Sequence, residues 1–387
     1  MDLIKDLFKG DKVIWIIFLF LCLISIVEVF SAASTLTYKS GDHWGPITQH
    51  SVILMVGVCI VVLVHNIPYK YFRVFPVFLL PLSTLLLIFV MGMGLITGDR
   101  VNGAARWMTF FGIQFQPSEL AKMAVIIVTA FILSKFQEED NANPKAFKYI
   151  MWITGIVFIL IAPENGSTAA LLFGVVFLMM VIGRVPWKQL AKLMGIAGVM
   201  VAFFVGIVMI MPTHKLNKVP MMHRVETWQN RIKAFPAAKY DIDKDAQIAH
   251  ANIAIASSNI IGKMPGNSVQ RDFLSQAFSD FIFAIIIEEL GLLGGAFVVI
   301  LYIWLLMRAG KIARRSEKSF PAFLVMGIAL LLVSQAMLNM MVAVGLFPVT
   351  GQPLPLISKG GTSTLINCAY IGMILSVSRY VAEKEEQ

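Results

Sequence analysis

A chain of 387 residues that is 58% hydrophobic and only 14% charged, with a mean hydropathy of +0.77, has too little polar sequence to cover a soluble globule of its size. Its net charge of +9 sits in short basic blocks between apolar runs, the distribution that membrane topology produces, and this excludes nucleic acid as a partner. Cys22, Cys59 and Cys368 are odd in number and all fall inside apolar runs, which excludes a disulfide framework.

Met1 to Lys12 mixes three aspartates with three lysines ahead of an apolar run that lacks a small-residue cleavage site, so the first helix is predicted to be a retained anchor. Taking roughly 17 to 25 apolar residues as one span, the pattern predicts helices at 13–33, 50–66, 72–96, 117–134, 147–162, 167–183, 193–211, 281–307, 321–345 and 363–382. The expected fold is all-α, a polytopic membrane protein of about ten helices forming one domain over 1–387. A large extracytoplasmic loop, 212–280, separates helices seven and eight. One set of alternate connections carries 18 Lys and Arg, whereas the short loops of the other set hold only Lys39, Arg100, Arg106 and Lys359. Both termini are therefore predicted to be cytoplasmic.

Ionisable groups inside spans are costly and mark candidate sites. Glu28 stands alone in the first span, as a neutral interior carboxyl or a functional one. Arg100 and Arg106 fall in the connection before span four, and a guanidinium there can grip a pyrophosphate or anchor a headgroup. Glu119 and Lys122 open span four at i, i+3, a spacing that permits a neutralising ion pair and leaves a substrate role open. Within 212–280, the segment Asp245 to Ile261 reads as a helix of dense small apolar residues, packed on the bundle or lying in the interface. Asp280 opens span eight on the predicted outer face, either as a helix cap together with Ser279 or as a group reached by water and lipid headgroups. Glu288 and Glu289 are adjacent, about 100° apart around the helix, and are predicted to hold two different neighbours. The loop Gly345 to Pro355 is stiffened by Pro348, Pro353 and Pro355 and is predicted to be part of the rim of a site.

These residues resemble the SEDS family of peptidoglycan polymerases, whose members include FtsW and RodA. The likeness is carried by Asn102 to Trp107, Gln116 to Lys122, Ser279 to Ala284, Glu288 to Gly291, Gln335 with Asn339, Gly345 to Gly351, and Ser358 to Gly361. It implies a glycosyltransferase using lipid II, an undecaprenyl-pyrophosphate-linked disaccharide pentapeptide, at the outer face of the bacterial cytoplasmic (inner) membrane. Asp280 matches the family's essential aspartate. Arg106, Glu119, Lys122 and Lys359 become substrate-binding candidates, and Glu288, Glu289, Gln335 and Asn339 supporting ones.

No cofactor is required by the motifs, although a divalent cation, Mg or Mn, is an alternative source of positive charge at the leaving pyrophosphate. Implied partners are a class B penicillin-binding protein (a transpeptidase), the divisome proteins and membrane lipid. Phe278-Ser279 stands where the family has His-Thr, Glu164 lies one residue out of register with a family aspartate, and Lys359 replaces a tyrosine. Overall likeness, including the run after span eight, favours the FtsW-like septal branch over the RodA-like elongation branch. A lipid II flippase is the rival class, which inverted repeats would favour; none is visible in the sequence. A scaffold that recruits the transpeptidase without catalysis is the third reading.

Overall fold

A computed structural model describes residues 9–32, 45–96, 107–110, 113–138, 141–210, 246–274 and 277–385. Its helices are α1 (Lys12–Ala32), α2 (Gly45–Asn66), α3 (Phe75–Ile96), α4 (Pro117–Lys135), α5 (Pro144–Ile161), α6 (Gly166–Ile182), α7 (Trp187–Ile210), α8 (Ala246–Ser257), α9 (Ile282–Arg315), α10 (Ser319–Ala343) and α11 (Thr362–Glu385). Nine are long and apolar enough to cross a membrane. The shorter α6, at 17 residues, meets the lower bound of about 17 for a span. The chain is a multi-pass membrane protein, and the ten predicted spans coincide with α1–α7 and α9–α11. The main boundary difference is that α9 runs to Arg315, because Arg308, Lys311, Arg314 and Arg315 are good helix formers whose charges can lie beyond the apolar layer.

Local chemistry explains where the spans begin. Pro117 and Pro144 take first-turn positions, where a missing N–H costs nothing. The Asn143 side chain accepts from Lys145 N at 3.0 Å, and that of Asn165 from Thr168 N at 3.2 Å, each satisfying a first-turn donor. Asp11 accepts from Val13 N at 2.9 Å and also pairs with Arg308 Nε at 2.6 Å, joining the start of α1 to the far end of α9. One addition to the all-helical expectation is an antiparallel hairpin, β1 (Met108–Phe110) with β2 (Ile113–Phe115), directly before α4. Its β-branched and aromatic residues outweigh the surrounding helical context.

The centre of the bundle is α4, α9, α10 and α11, with α1 against α9, α2 against α11, and α6 against α10. A single buried apolar cluster runs through them. The helix α8, from the loop that separates α7 and α9, packs on α9, burying Ala251 and Ala254 while Ile253 faces outward. α9 breaks at Gly291, with φ 73° and ψ −175°, near the end of the helix that follows Asp280. Beside it the chain crosses at Gly262 in extended contact. Lys263 N donates to Glu288 O (3.0 Å), Met264 N to Glu289 O (2.8 Å), Leu292 N to Asn259 O and Leu293 N to Ile260 O (both 3.3 Å). The carbonyls and amides released by the break are thus satisfied within the protein.

Candidate functional site

Asp280 lies half-buried just ahead of α9. The cap position of that helix is Phe281 and no side chain caps it, so the helix-cap alternative for Asp280 does not hold. Ser279 Oγ donates to Asp280 Oδ1 at 3.1 Å. The backbone here is fixed from several directions. Asn339 Nδ2, on α10, donates to Asp280 O at 3.0 Å and to Gln352 O at 2.8 Å. Ser358 Oγ donates to Ser279 O at 2.7 Å, and Lys359 N to Phe278 O at 2.9 Å.

Side chains from several helices hold the connection from α10 to α11. Gln335, one turn before Asn339 on the same face of α10, donates through Nε2 to Pro353 O at 3.0 Å. Gln352 Nε2 donates to Thr168 Oγ1 at the start of α6, at 2.7 Å. Leu354 N donates to Ser358 Oγ at 2.7 Å, Tyr302 OH to Pro355 O, and Ser25 Oγ of α1 to Ile357 O at 2.7 Å. Leu356, buried among them, has φ 66°, a left-handed conformation that a side-chain-bearing residue keeps only when its surroundings hold it there.

A second cluster attaches to the same face of α10. Lys122 Nζ pairs with Glu119 Oε1 at 2.8 Å and donates to Gln335 Oε1 at 3.0 Å. Both residues are buried, and the expected i, i+3 pair is present. Gln335 therefore links this ion pair to the loop beneath Asp280. Glu119 Oε2, Asn339 Oδ1 and Gln352 Oε1 are buried acceptors with no hydrogen-bond partner among the described residues. Replacing Lys122 with Met leaves the Glu119 carboxylate buried without its cation. We expect it to lower stability by about 3 kcal/mol, read as a drop in thermal midpoint in detergent, and the double variant with Glu119→Gln to recover most of that loss.

Lys359 is half-buried, with Nζ 5.7 Å from the ring centroid of Phe278, two residues before Asp280. Desolvation pushes its ammonium below the ordinary lysine pKa. Arg106 lies outside the described residues. Glu164 is half-buried in the turn between α5 and α6, and with Gln116, Ser118 and Asn165 it lines a cleft against α3. Glu28 is fully buried in α1, both oxygens without a partner among the described residues.

Glu288 and Glu289 are not brought to Asp280; each holds a different part of the segment from 263 to 271. Glu288 pairs with Lys263 Nζ at 2.7 Å and accepts from Ser268 Oγ at 2.5 Å and Val269 N at 3.2 Å. Glu289 accepts from Gly266 N and Ser268 N, both at 3.1 Å, and from Ser31 Oγ of α1. Arg271 Nη1 bridges it to Ser31, 2.9 Å from that hydroxyl. Sequence reasoning missed Lys263, Ser268 and Arg271. The available signal was that two adjacent buried acids must find cations and N–H donors nearby. Among the described residues no group of three or more His, Cys, Asp or Glu is placed to hold a metal. The described cation beside the Asp280 segment is Lys359.

The chain is 29% identical over 380 residues to the probable peptidoglycan glycosyltransferase FtsW of Geobacter sulfurreducens, covering 97% of this chain and 96% of that one. To the protein of the same description from Halomonas elongata it is 31% identical over 366 residues, covering 92% and 87%. Its fold matches a chain of a peptidoglycan synthase complex, solved to show the structural coordination of polymerization and crosslinking. That match has a TM-score of 0.74 and 23% identity over 97% of this chain and 99% of that one. The rod shape determining protein RodA of Thermus thermophilus matches with a TM-score of 0.64 and 22% identity, covering 96% and 97%. The family model FTSW_RODA_SPOVE, described as cell cycle protein, matches residues 11–383, so the chain belongs to this family.

Proposed function

We propose that the chain is an FtsW-like peptidoglycan glycosyltransferase that polymerises lipid II into glycan strands on the outer face of the bacterial cytoplasmic membrane. The observation that carries this reading is the setting of Asp280: a half-buried carboxyl at the break between loop and helix, its backbone pinned by Asn339 and its neighbours by Ser358 and Lys359. In glycosyl transfer an acceptor hydroxyl oxygen bonds to the donor's anomeric carbon as the bond from that carbon to the pyrophosphate oxygen breaks. Asp280 takes the hydroxyl proton as general base. The departing pyrophosphate carries the bonding pair away, and Lys359, the described cation beside Asp280's segment, steadies its charge. Lys122 is fully buried against Glu119 and Gln335, which suits positioning the loop better than touching substrate.

Both termini then lie in the cytoplasm and the Asp280 end faces outward, in keeping with the asymmetry of Lys and Arg between connections. Crosslinking needs a partner. The likeness to a chain of a complex that couples polymerization to crosslinking supports a class B penicillin-binding protein in that role, and relatives named FtsW support the septum and its division proteins as the setting.

Lys359 gives the reading a pH signature. Because burial lowers its pKa, the ammonium loses its proton below the ordinary lysine value of about 10.4. Polymerisation should fall as pH rises through that lowered value, and Lys359→Arg, which stays charged, should keep its rate there; this is read from initial rates of polymer formation across alkaline pH. An unchanged falling limb in the variant would remove Lys359 from the mechanism.

The reading as a whole is tested by supplying labelled lipid II to the purified chain together with its transpeptidase partner, that partner's own activity blocked. Glycan polymer is expected. Movement of lipid II across vesicles without polymer would transfer the assignment to a transporter.

A further inference from the structure

Ser25 of α1 and His50, in the second turn of α2, meet in the interior, and both are buried. Ser25 Oγ lies 2.8 Å from His50 Nε2 and 2.7 Å from Ile357 O. A hydroxyl has one proton to give, and a carbonyl oxygen has none. That proton is therefore spent on Ile357 O, and His50 Nε2 is the donor to Ser25 Oγ. The direction of the relay is thus fixed, from His50 to Ser25 to Ile357. His50 Nδ1 has no hydrogen-bond partner among the described residues, so the ring's described hydrogen bonding runs through Nε2 alone. An imidazole buried with one nitrogen unsatisfied costs more than an apolar ring of that size. What offsets the cost is the hold on Ser25.

The far end of the relay is the stretch that grips the Asp280 segment. Consecutive residues act there: Ile357 through its carbonyl, Ser358 through Oγ to Ser279 O at 2.7 Å, and Lys359 through its amide to Phe278 O at 2.9 Å. The Ile357 carbonyl shares a rigid peptide plane with Ser358 N, so holding that oxygen orients the residue whose hydroxyl holds Ser279. Ser358 Oγ is itself fully used, since it also accepts from Leu354 N at 2.7 Å. Leu356, immediately before, keeps its left-handed φ of 66° only under such restraint. The helix that carries His50, α2, packs along α11, which begins at Thr362 just beyond Lys359. Lys359 is also near enough for its charge to act on the imidazole, a rival route that bypasses Ser25.

We propose that His50 is a positioning residue for glycosyl transfer: through Nε2 and Ser25 it sets the Ile357 carbonyl, and so the way Ser358 and Lys359 hold the Asp280 segment. The inference rests on the reading of Asp280 as the base of that reaction. It gives His50 no contact with substrate, and it specifies which half of the imidazole matters. Gln offers a donor at the place of Nε2, and Asn places its amide at that of Nδ1. The two amides therefore separate the relay from a direct effect on Lys359.

The test measures kcat and KM for lipid II polymerisation by the full chain with its blocked transpeptidase partner, and hydrogen exchange at the Leu354 and Lys359 amides. Wild type is compared with Ser25→Ala, His50→Gln, His50→Asn and His50→Phe. Ser25→Ala, His50→Asn and His50→Phe should lower kcat about tenfold to a hundredfold, the effect of a small misplacement, with KM within about twofold because substrate contacts are kept. Both amides should exchange faster in the same variants. His50→Gln should recover most of the rate, and Ser25→Ala combined with His50→Phe should be no slower than either alone, as for two links of one chain. Recovery by Asn and not by Gln, or unaltered kcat and exchange in every variant, overturns the proposal. So does an equal loss in Gln, Asn and Phe that tracks a lowered thermal midpoint, which marks a ring that only packs. A wild type that makes no polymer removes the transferase reading instead, and exchange then decides the relay by itself.

Discussion

Replacing Asp280 by Asn is expected to slow glycan polymerisation by about 10²- to 10⁴-fold, the usual worth of a positioned general base, while leaving the protein folded. The substitution keeps the shape of the side chain and removes only its ability to take a proton. The contacts that hold the segment are made largely by backbone: Asp280 O to Asn339, Ser279 O to Ser358 and Phe278 O to Lys359. The amide can still accept from Ser279 Oγ through its carbonyl oxygen. Thermal midpoints of wild type and variant should therefore agree closely, and lipid II binding should survive. A variant that polymerises at the wild-type rate would remove Asp280 from the chemistry. One that is inactive because it no longer folds would show as a shifted midpoint, and Asn339→Ala separates the two cases: it loosens the Asp280 backbone but keeps the carboxylate, so polymerisation should fall by less.

How far the site could be read from residues alone depended on where its information lies. The spans were legible because each is a run of apolar residues whose ends carry prolines, asparagines or basic residues, and the structure places ten helices there. The pair of Glu119 with Lys122 was legible because helix periodicity alone brings i and i+3 together. Motif likeness in short segments led to the family that the whole-chain comparison shows.

The loop from Gly345 to Pro355 was legible as stiff and as part of a rim, but not in what holds it. Its order comes from Gln335, Asn339 and Thr168, distant in sequence, each spending a side-chain donor or acceptor on it. The partners of Glu288 and Glu289 were hidden for the same reason. Two acids on successive helix positions announce a need for donors, but Lys263, Ser268 and Arg271 are selected by a chain crossing that no periodicity encodes.

That crossing yields the largest expected effect on stability. Gly291 sits at φ 73° and ψ −175°, a region open essentially to glycine, where another residue stores about 1–3 kcal/mol of strain. A Cβ there would lie 2.2 Å from Ile260 O and 2.5 Å from Gly262 N, and one on Gly262 (φ 81°) would lie 2.3 Å from Gly291 N. All of these are backbone atoms, which cannot rotate away. Gly291→Ala must therefore push the 259–264 segment off α9, breaking the four backbone hydrogen bonds that join them. At about 1 kcal/mol for each bond, strain and lost bonds together reach about 5 kcal/mol or more. The displaced segment also carries Lys263, which donates to Glu288, and leads on to Gly266 and Ser268, which donate to Glu289, and to Asp280, so polymerisation should disappear together with stability. Gly174→Ala in α6 is the matched control. A Cβ there meets nothing within 4 Å and the backbone is helical, so the midpoint should hold or rise slightly, by up to about 1 kcal/mol equivalent. If Gly291→Ala melts with wild type, the crossing is not what holds the head of α9 in place.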